Sequence, residues 1–441
     1  TRWPNMRILL LAAVAAYDPE NQATYLPTTY DEKADDLAAH ARHLFDRAAR
    51  AASRARCRAP VAGHKRSGFG SYLRILAHEA EDLLIRGRAP TPLLQHALLE
   101  KGVGSLGDGR PCAKQQLSGC VFHDAFAGAK ALPVCACANP NPVNCRGERV
   151  RAERAAPRST YHRALPYADG EAKRAVEDWR RFAETYPFWA SSALFSAVLR
   201  PQKRLREAIA DATQKLGAAP RPWVAAHLRR GDACRDGAYM GRTCSSGDDY
   251  ARACCDAGRR YGFGTLVVAT DSSSALAELK DALDKRGCSF TVRATSDTSV
   301  DDETRESARV EDLLESNVLD SAKEFAGVLV DVFLLASGDI YIGKFTSNLD
   351  RLAYALLVAR KGVAAPYVSL DTAWSKDTPA LFDAATHRPL QKLLNETLHK
   401  SQLRNITRKK LRVDECRAPR AVAGWSETGS RWWCPATTTS A

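Results

Sequence analysis

WVAAHLRRGDACRD, from Trp223 to Asp236, is an apolar run that stops abruptly at charged side chains. Val224 to His227 reads as a strand, with Arg229, Arg230 and Asp232 following at once. An apolar strand ending in cations is how an α/β fold arms the carboxyl edge of a parallel sheet, where ligands bind. Two adjacent arginines there suit a multiply charged anion, with a diphosphate the first candidate. The planar guanidinium engages two oxygens at once, where Lys offers only a point charge.

Working outward, strands and helices alternate. Leu266 to Thr270 reads as a second strand, Phe290 to Arg293 as a third and Ile340 to Ile342 as a fourth. Asp249 to Tyr261, Phe325 to Ser337 and Leu349 to Arg360 carry helical periodicity. This order predicts an α/β chain whose C-terminal half is a doubly wound parallel sheet. Upstream, residues 30–56 are amphipathic at helical spacing. A Gly68-Phe69-Gly70 loop leads straight into another amphipathic helix, and helices run from Glu171 to Lys215 with a break at Pro201. Gly102 to Pro166, rich in Gly, Pro, Cys and Asn, reads as loops, and Ser296 to Arg309 as an exposed loop. The expected organisation is an N-terminal segment 1–29, an α/β domain over 30–217, a nucleotide-binding domain over 218–372 and a basic tail over 373–441.

The chain has 441 residues, a formal net charge of +13 and 13 cysteines. The basic residues are scattered over helical faces, with no block of cations interleaved with aromatics, so nucleic acid is not the expected partner. The cysteine count points to disulfides in an oxidising compartment, the odd number leaving at least one unpaired within the chain. Cys135, Cys137 and Cys145 make a poor zinc set, lacking a second pair or a following His. Sequons at Asn395 and Asn405 agree with secretion. Met6 to Tyr17 reads either as a secretory signal or as a first buried strand. It is too short for a membrane span, which needs about 20 apolar residues, and no other stretch of the sequence could span a bilayer.

Four features can converge on one crevice. They are His227-Leu-Arg229-Arg230-Gly-Asp232; Asp271 directly after an apolar strand; Asp331 alone among apolar residues; and Thr346-Ser347-Asn348 opening a helix. Hydroxyls and amides at a helix start suit a phosphate. A buried carboxylate at Asp331 needs a donor, which either a purine edge or a neighbouring arginine could supply.

In that order, these stretches resemble the α1,6-fucosyltransferases, the family of the animal core N-glycan enzyme and the bacterial Nod-factor enzyme. The resemblance runs from about Gly68 to Tyr354, strongest in VAAHLRRGD, VVATDSSSALAELK and FAGVLVDVFLLASGDIYIGKFTSNLDRLAYALL. It implies a GT-B-like pair of Rossmann-like domains, GDP-fucose as donor, a glycan or glycoprotein acceptor, no cofactor, no metal ion and inversion at the fucose carbon. By position, Arg229 matches the arginine on the donor β-phosphate, with Arg230 beside it. His227 and Asp331 match groups that read guanine. Asp232 and Asp271 match acidic positions shaping the site, Thr346, Ser347 and Asn348 the phosphate-binding helix start, and Gly68 and Gly70 the loop approaching the diphosphate. The expected location is the secretory pathway, in the Golgi lumen or outside the cell. The chain departs from the family after Asp232: Ala233 replaces a lysine, and Gly237 stands where a glutamate is thought to deprotonate the acceptor. Asp236 is the nearest carboxylate and serves either as that base or as a turn cap. Cys234 and Cys244 bracket this segment as a candidate disulfide-held acceptor loop. A protein O-fucosyltransferase and a catalytically silent nucleotide-sugar or glycan-binding protein are the alternatives.

Overall fold

Val224, Ala225, Ala226, His227 and Leu228 are all buried. A strand covered on both faces belongs at the centre of a parallel sheet flanked by helices. The computed structural model describes residues 23–25, 36–55, 58–62, 69–93, 121–123, 125–126, 167, 169–217, 222–231, 234, 244–295, 302–307, 310–371 and 374. The first half contains β1 (Ala23–Tyr25), α1 (Asp36–Ala51), β2 (Arg58–Ala62), α2 (Phe69–Ile85), β3 (Ala89–Leu93), α3 (Gly170–Thr185), α4 (Pro187–Val198) and α5 (Lys203–Lys215). The second contains β4 (Val224–Leu228), α6 (Gly247–Tyr261), β5 (Thr265–Thr270), α7 (Ser273–Lys285), β6 (Thr291–Ala294), α8 (Asp302–Ser307), α9 (Val310–Glu315), α10 (Ser321–Leu335), β7 (Ile340–Gly343), α11 (Asn348–Lys361) and β8 (Tyr367–Ser369).

The α/β architecture follows the sequence expectation. Among the described residues six strands form one sheet in the order β1-β8-β7-β4-β5-β6. The strands from β8 to β6 are parallel, and β1 closes one edge antiparallel to β8. In the first half, β2 and β3 pair in parallel across α2, a βαβ unit. Side chains alternate across the central strands as the pleat requires. Val224, Ala226, Leu228, Val268, Ile340 and Ile342 pack on Tyr250, Cys254 and Leu279 from α6 and α7. Ala225, Val267, Ala269 and Tyr341 face Leu329 and Val332 of α10 and Leu352 and Tyr354 of α11. This second face continues unbroken into the first half through Trp189 and Phe195 of α4, Tyr72 of α2 and Trp179 of α3. Each fully buried side chain of that size is worth about 1.5–3 kcal/mol. The Ser192 hydroxyl donates to the Ala355 carbonyl at 2.7 Å, tying α4 to α11.

The Ser296–Arg309 segment needs correction, because part of it is the short helix α8 rather than loop. The Asp302 carboxylate accepts from the amides of Ser273 (2.9 Å) and Ser274 (2.7 Å), so the start of α8 caps the start of α7. Burial opposes that charge. Hydrogen bonds from Ser274, Ser273 and Ser272 outweigh it and hold the carboxyl at about 2. Six residues are too few for a helical period to show in sequence.

Among the described residues no helix is long and apolar enough to cross a membrane. Met6 to Tyr17, the cysteines before Cys234, Cys416 and Cys434, and both sequons lie outside the described residues. Among the described residues two disulfides are formed, Cys234–Cys244 and Cys255–Cys288, while Cys254 is a buried free thiol. The second closes a loop of sequence separation 33, from α6 to the turn after α7. Loop-closure entropy then gives an expected loss of about 3–4 kcal/mol for Cys288→Ala, read as a lowered urea midpoint.

Candidate functional site

The chain runs from β4 outward to β5 and β6, then returns to β7 on the other side of β4 and continues to β8. The winding direction therefore reverses between β4 and β7, and an open α/β sheet has its crevice at that point. The backbone ladders show it opening. β4 pairs with β5 as far as Leu228↔Thr270, but with β7 only as far as Ala226↔Ile342. His227, Arg229 and Arg230 leave β4 here, Asp271 follows β5, and Lys344 to Ser347 follow β7.

His227 spans the opening. Its Nδ1 lies 2.7 Å from Asp350 Oδ2 on α11, and Asp350 is fully buried. Asp350 Oδ1 accepts from the Tyr341 hydroxyl at 2.9 Å and the Lys344 amide at 3.1 Å. Burial alone would lower the His227 pKa. The Asp350 charge and hydrogen bond outweigh it, so the imidazolium is favoured beyond its ordinary range. Burial likewise pushes Asp350 up, while His227 and the surrounding donors pull it below the usual carboxylate value. The Tyr250 hydroxyl donates to the His227 carbonyl at 2.9 Å and fixes the strand end from α6.

The two arginines take different partners. Arg229 Nη1 stands 3.6 Å from Asp271 Oδ2, with 29% of the Arg229 side chain exposed towards solvent. The Arg230 amide donates to Asp271 Oδ1 at 2.8 Å, so one carboxylate sets the exit from β4. The turn passes through Gly231 at φ +35, where a Cβ would come within 3.0 Å of Asp271 Oδ2. The Arg230 guanidinium pairs with Glu278 of α7 and reaches Cys244 Sγ at 3.5 Å. Glu278 also accepts from the Gly247 amide at 2.9 Å. Arg230 thus joins β4, α6, α7 and the Cys234–Cys244 bridge.

The start of α11 meets the start of α2. A Cβ on Gly70 would lie 2.6 Å from the Leu349 nitrogen, so only glycine permits this approach. Asn348 accepts from Arg74 and donates to the Ser71 hydroxyl. Ser347 caps α11 by accepting from the Asp350 amide at 3.4 Å. The Thr346 hydroxyl and amide both bond to Asp371, just past β8. Asp331, on α10 and partly buried, is pushed up to about 6 by desolvation, against a Thr295 hydrogen bond and the His227 charge.

The structure therefore gathers His227, Arg229, Arg230, Asp271, Thr346, Ser347, Asn348 and Gly70 around the switch point, with Asp331 in electrostatic reach of His227. Gly68, Asp232 and Asp236 lie outside the described residues. Sequence reasoning missed Asp350, Glu278, Asp371 and Arg74. A signal existed for Asp350, since Ser347-x-x-Asp350 is capping-box spacing. Only half the box forms, however, because the carboxylate turns inward to His227.

No protein-family model matches the chain, and no curated protein matches it. Solved structures similar to it include the fucosyltransferase NodZ from Bradyrhizobium, 16% identical over 68% of this chain and 92% of that one, with TM-score 0.33. An Arabidopsis thaliana FUT1 variant in complex with GDP is 11% identical over 79% and 84%, with TM-score 0.40. POFUT1 in complex with GDP-fucose is 12% identical over 71% and 97%, with TM-score 0.35. At such identities the chemistry has to be read from the site itself.

The buried pair predicts a pH signature. The raised His227 pKa contributes stability fully present below its ordinary 6.5 and lost as pH rises through the raised value. The lowered Asp350 pKa contributes stability present above 3.8 and lost as pH falls through the lowered value. Asp350→Asn is expected to cost about 3–5 kcal/mol between those limits. It should also flatten both flanks of the stability–pH curve measured by urea unfolding.

Proposed function

We propose that this chain is a metal-independent, inverting glycosyltransferase that moves fucose from GDP-fucose to a glycan hydroxyl, forming an α1,6 linkage. The observation that carries the reading is the gathering at the switch point. An arginine held by Asp271 stands at the end of β4, and Ser347 and Asn348 open a helix beside it. This is the arrangement the family resemblance of the motifs calls for.

The chemistry follows from charge. As the bond between the fucose anomeric carbon and the β-phosphate oxygen breaks, its electron pair stays on GDP and the sugar becomes oxocarbenium-like. Arg229 neutralises the departing diphosphate, in the role a metal ion would otherwise take. Ser347, with Asn348 beside it, holds the phosphates, Gly70 lets the first half approach them, and His227 and Asp331 hold the base. Arg230, through Glu278, and Asp271 keep Arg229 in register. The acceptor oxygen attacks from the opposite face and gives its proton to Asp236, in the loop bracketed by Cys234 and Cys244. The two disulfides suit an oxidising compartment, and the proposed location is the Golgi lumen or the cell exterior.

Incubation with GDP-fucose and a panel of glycans in EDTA, with linkage analysis, tests the reading. Fucosylated glycan supports it. Transfer only to folded peptide domains would move the assignment to protein O-fucosylation, and saturable GDP binding without fucose release would make the chain a binding protein. A preorganised cation on a leaving group contributes about 3–4 kcal/mol, so Arg229→Ala should lower kcat by about 100-fold or more. Arg229→Lys should fail as well, because the fork geometry is lost. Near-normal turnover in folded Arg229→Ala removes the role.

A further inference from the structure

The family resemblance gives His227 a part in reading the base but assigns nothing to Asp350, which the structure buries fully beside the crevice. Four facts bear on it. Asp350 is fully buried on α11, and His227 keeps 7% of its side-chain surface exposed. The His227 Nδ1 is committed to Asp350 at 2.7 Å, which leaves Nε2 as the ring's other nitrogen. The remaining Asp350 oxygen is held by Tyr341 and the Lys344 amide, so the carboxylate cannot swing away without losing both donors. Gly343 makes room for this: a Cβ there would stand 2.0 Å from Asp350 Oδ1.

A histidine ring held at one nitrogen by a carboxylate has its tautomer and its charge set by that partner. We propose that Asp350 is a positioning residue that acts through His227, keeping the ring protonated so that Nε2–H donates to the O6 acceptor of the guanine in bound GDP. The inference deepens the fucosyltransferase reading and rests on it for the identity of the nucleotide. It also names a basis for base choice. Guanine offers two acceptors, O6 and N7, on the edge where adenine puts a donor, N6–H₂, beside N7. A donor aimed at O6 therefore favours guanine, and a neutral ring that accepts at Nε2 would favour the N6–H₂ of adenine instead.

The groups facing His227 support a single dominant partner. Asp350 lies on α11, and Arg229, just past the end of β4, works against the charge. Asp271 past β5 favours it more weakly, and Asp331 on α10 feels it from the other side. The Tyr250 hydroxyl is engaged with the His227 carbonyl and the Tyr341 hydroxyl with Asp350. Loss of the His227 proton is thus the event that should change nucleotide affinity on the alkaline side.

The test is calorimetric titration of the intact protein with GDP and with ADP between pH 6 and pH 8.5, alongside NMR of histidine-labelled protein, the His227 signal being identified by its loss in His227→Gln. The expected results are a His227 midpoint above the ordinary 6.5 and a higher midpoint with GDP bound. GDP affinity should weaken by about tenfold per pH unit beyond that midpoint, with a falling preference over ADP. His227→Gln, which retains a neutral donor, should bind GDP more weakly but without this pH dependence, separating it from ionisation of the ligand. Asp350→Asn should lower the His227 midpoint; should that variant not fold, the wild-type profile and His227→Gln carry the test alone. GDP affinity that is flat with pH in wild type, or a slope that persists in His227→Gln, overturns the proposal while leaving the fucosyltransferase reading intact. Absence of GDP binding at every pH overturns both that reading and the base contact.

Discussion

One buried charge organises the carboxyl edge of this sheet. Asp350 has no exposed surface, and an ionised carboxylate in that position must be paired and hydrogen-bonded to be tolerated. It draws donors from His227 on β4, Tyr341 on β7 and the Lys344 amide beyond β7. The backbone ladder between β4 and β7 ends one residue earlier, at Ala226↔Ile342. The side-chain pair therefore takes over where main-chain pairing stops.

The arginines show how neighbours in sequence separate in space. Read as a string, Arg229 and Arg230 look like one clamp. In the structure, Arg230 is absorbed by Glu278, which also takes the Gly247 amide at the start of α6. A cation on the scaffold and a cation at the crevice repel one another unless both are compensated, and the carboxylates of Glu278 and Asp271 do this separately. Asp271 contributes twice, through the Arg230 amide and the Arg229 guanidinium, and so holds one arginine by its backbone and the other by its charge.

Much of this was legible in the residues. The buried strands announced themselves as short apolar runs, and the punctuation after each run, HLRRGD, TDSSS and KFTSN, named the crevice. What stayed hidden was long-range or short. The α7 helix and the three-residue strand β8 are defined by what packs on them. Glu278 looks like any solvated helical glutamate until Arg230 is brought beside it. Asp350 carried a local signal that pointed to the wrong partner, since capping-box spacing predicts a carboxylate turned back to its own helix. Tertiary burial decided otherwise, because His227 offers a charged donor in a low-dielectric site where a backbone amide offers a neutral one.

The contact between α2 and α11 completes the argument from electrostatics. Each helix N-terminus carries about half a positive charge, so bringing two together costs free energy unless something negative lies between or beside them. Here the approach is forced to contact by Gly70 against Leu349, and Arg74 adds a further cation through Asn348. Asn348 and Ser71 bridge the two ends with neutral dipoles, and Asp350 in the first turn of α11 adds a negative charge beside them. The first half of the chain therefore seats one helix start on another at the switch point, and the Asp350 carboxylate that serves His227 also offsets the two positive helix ends.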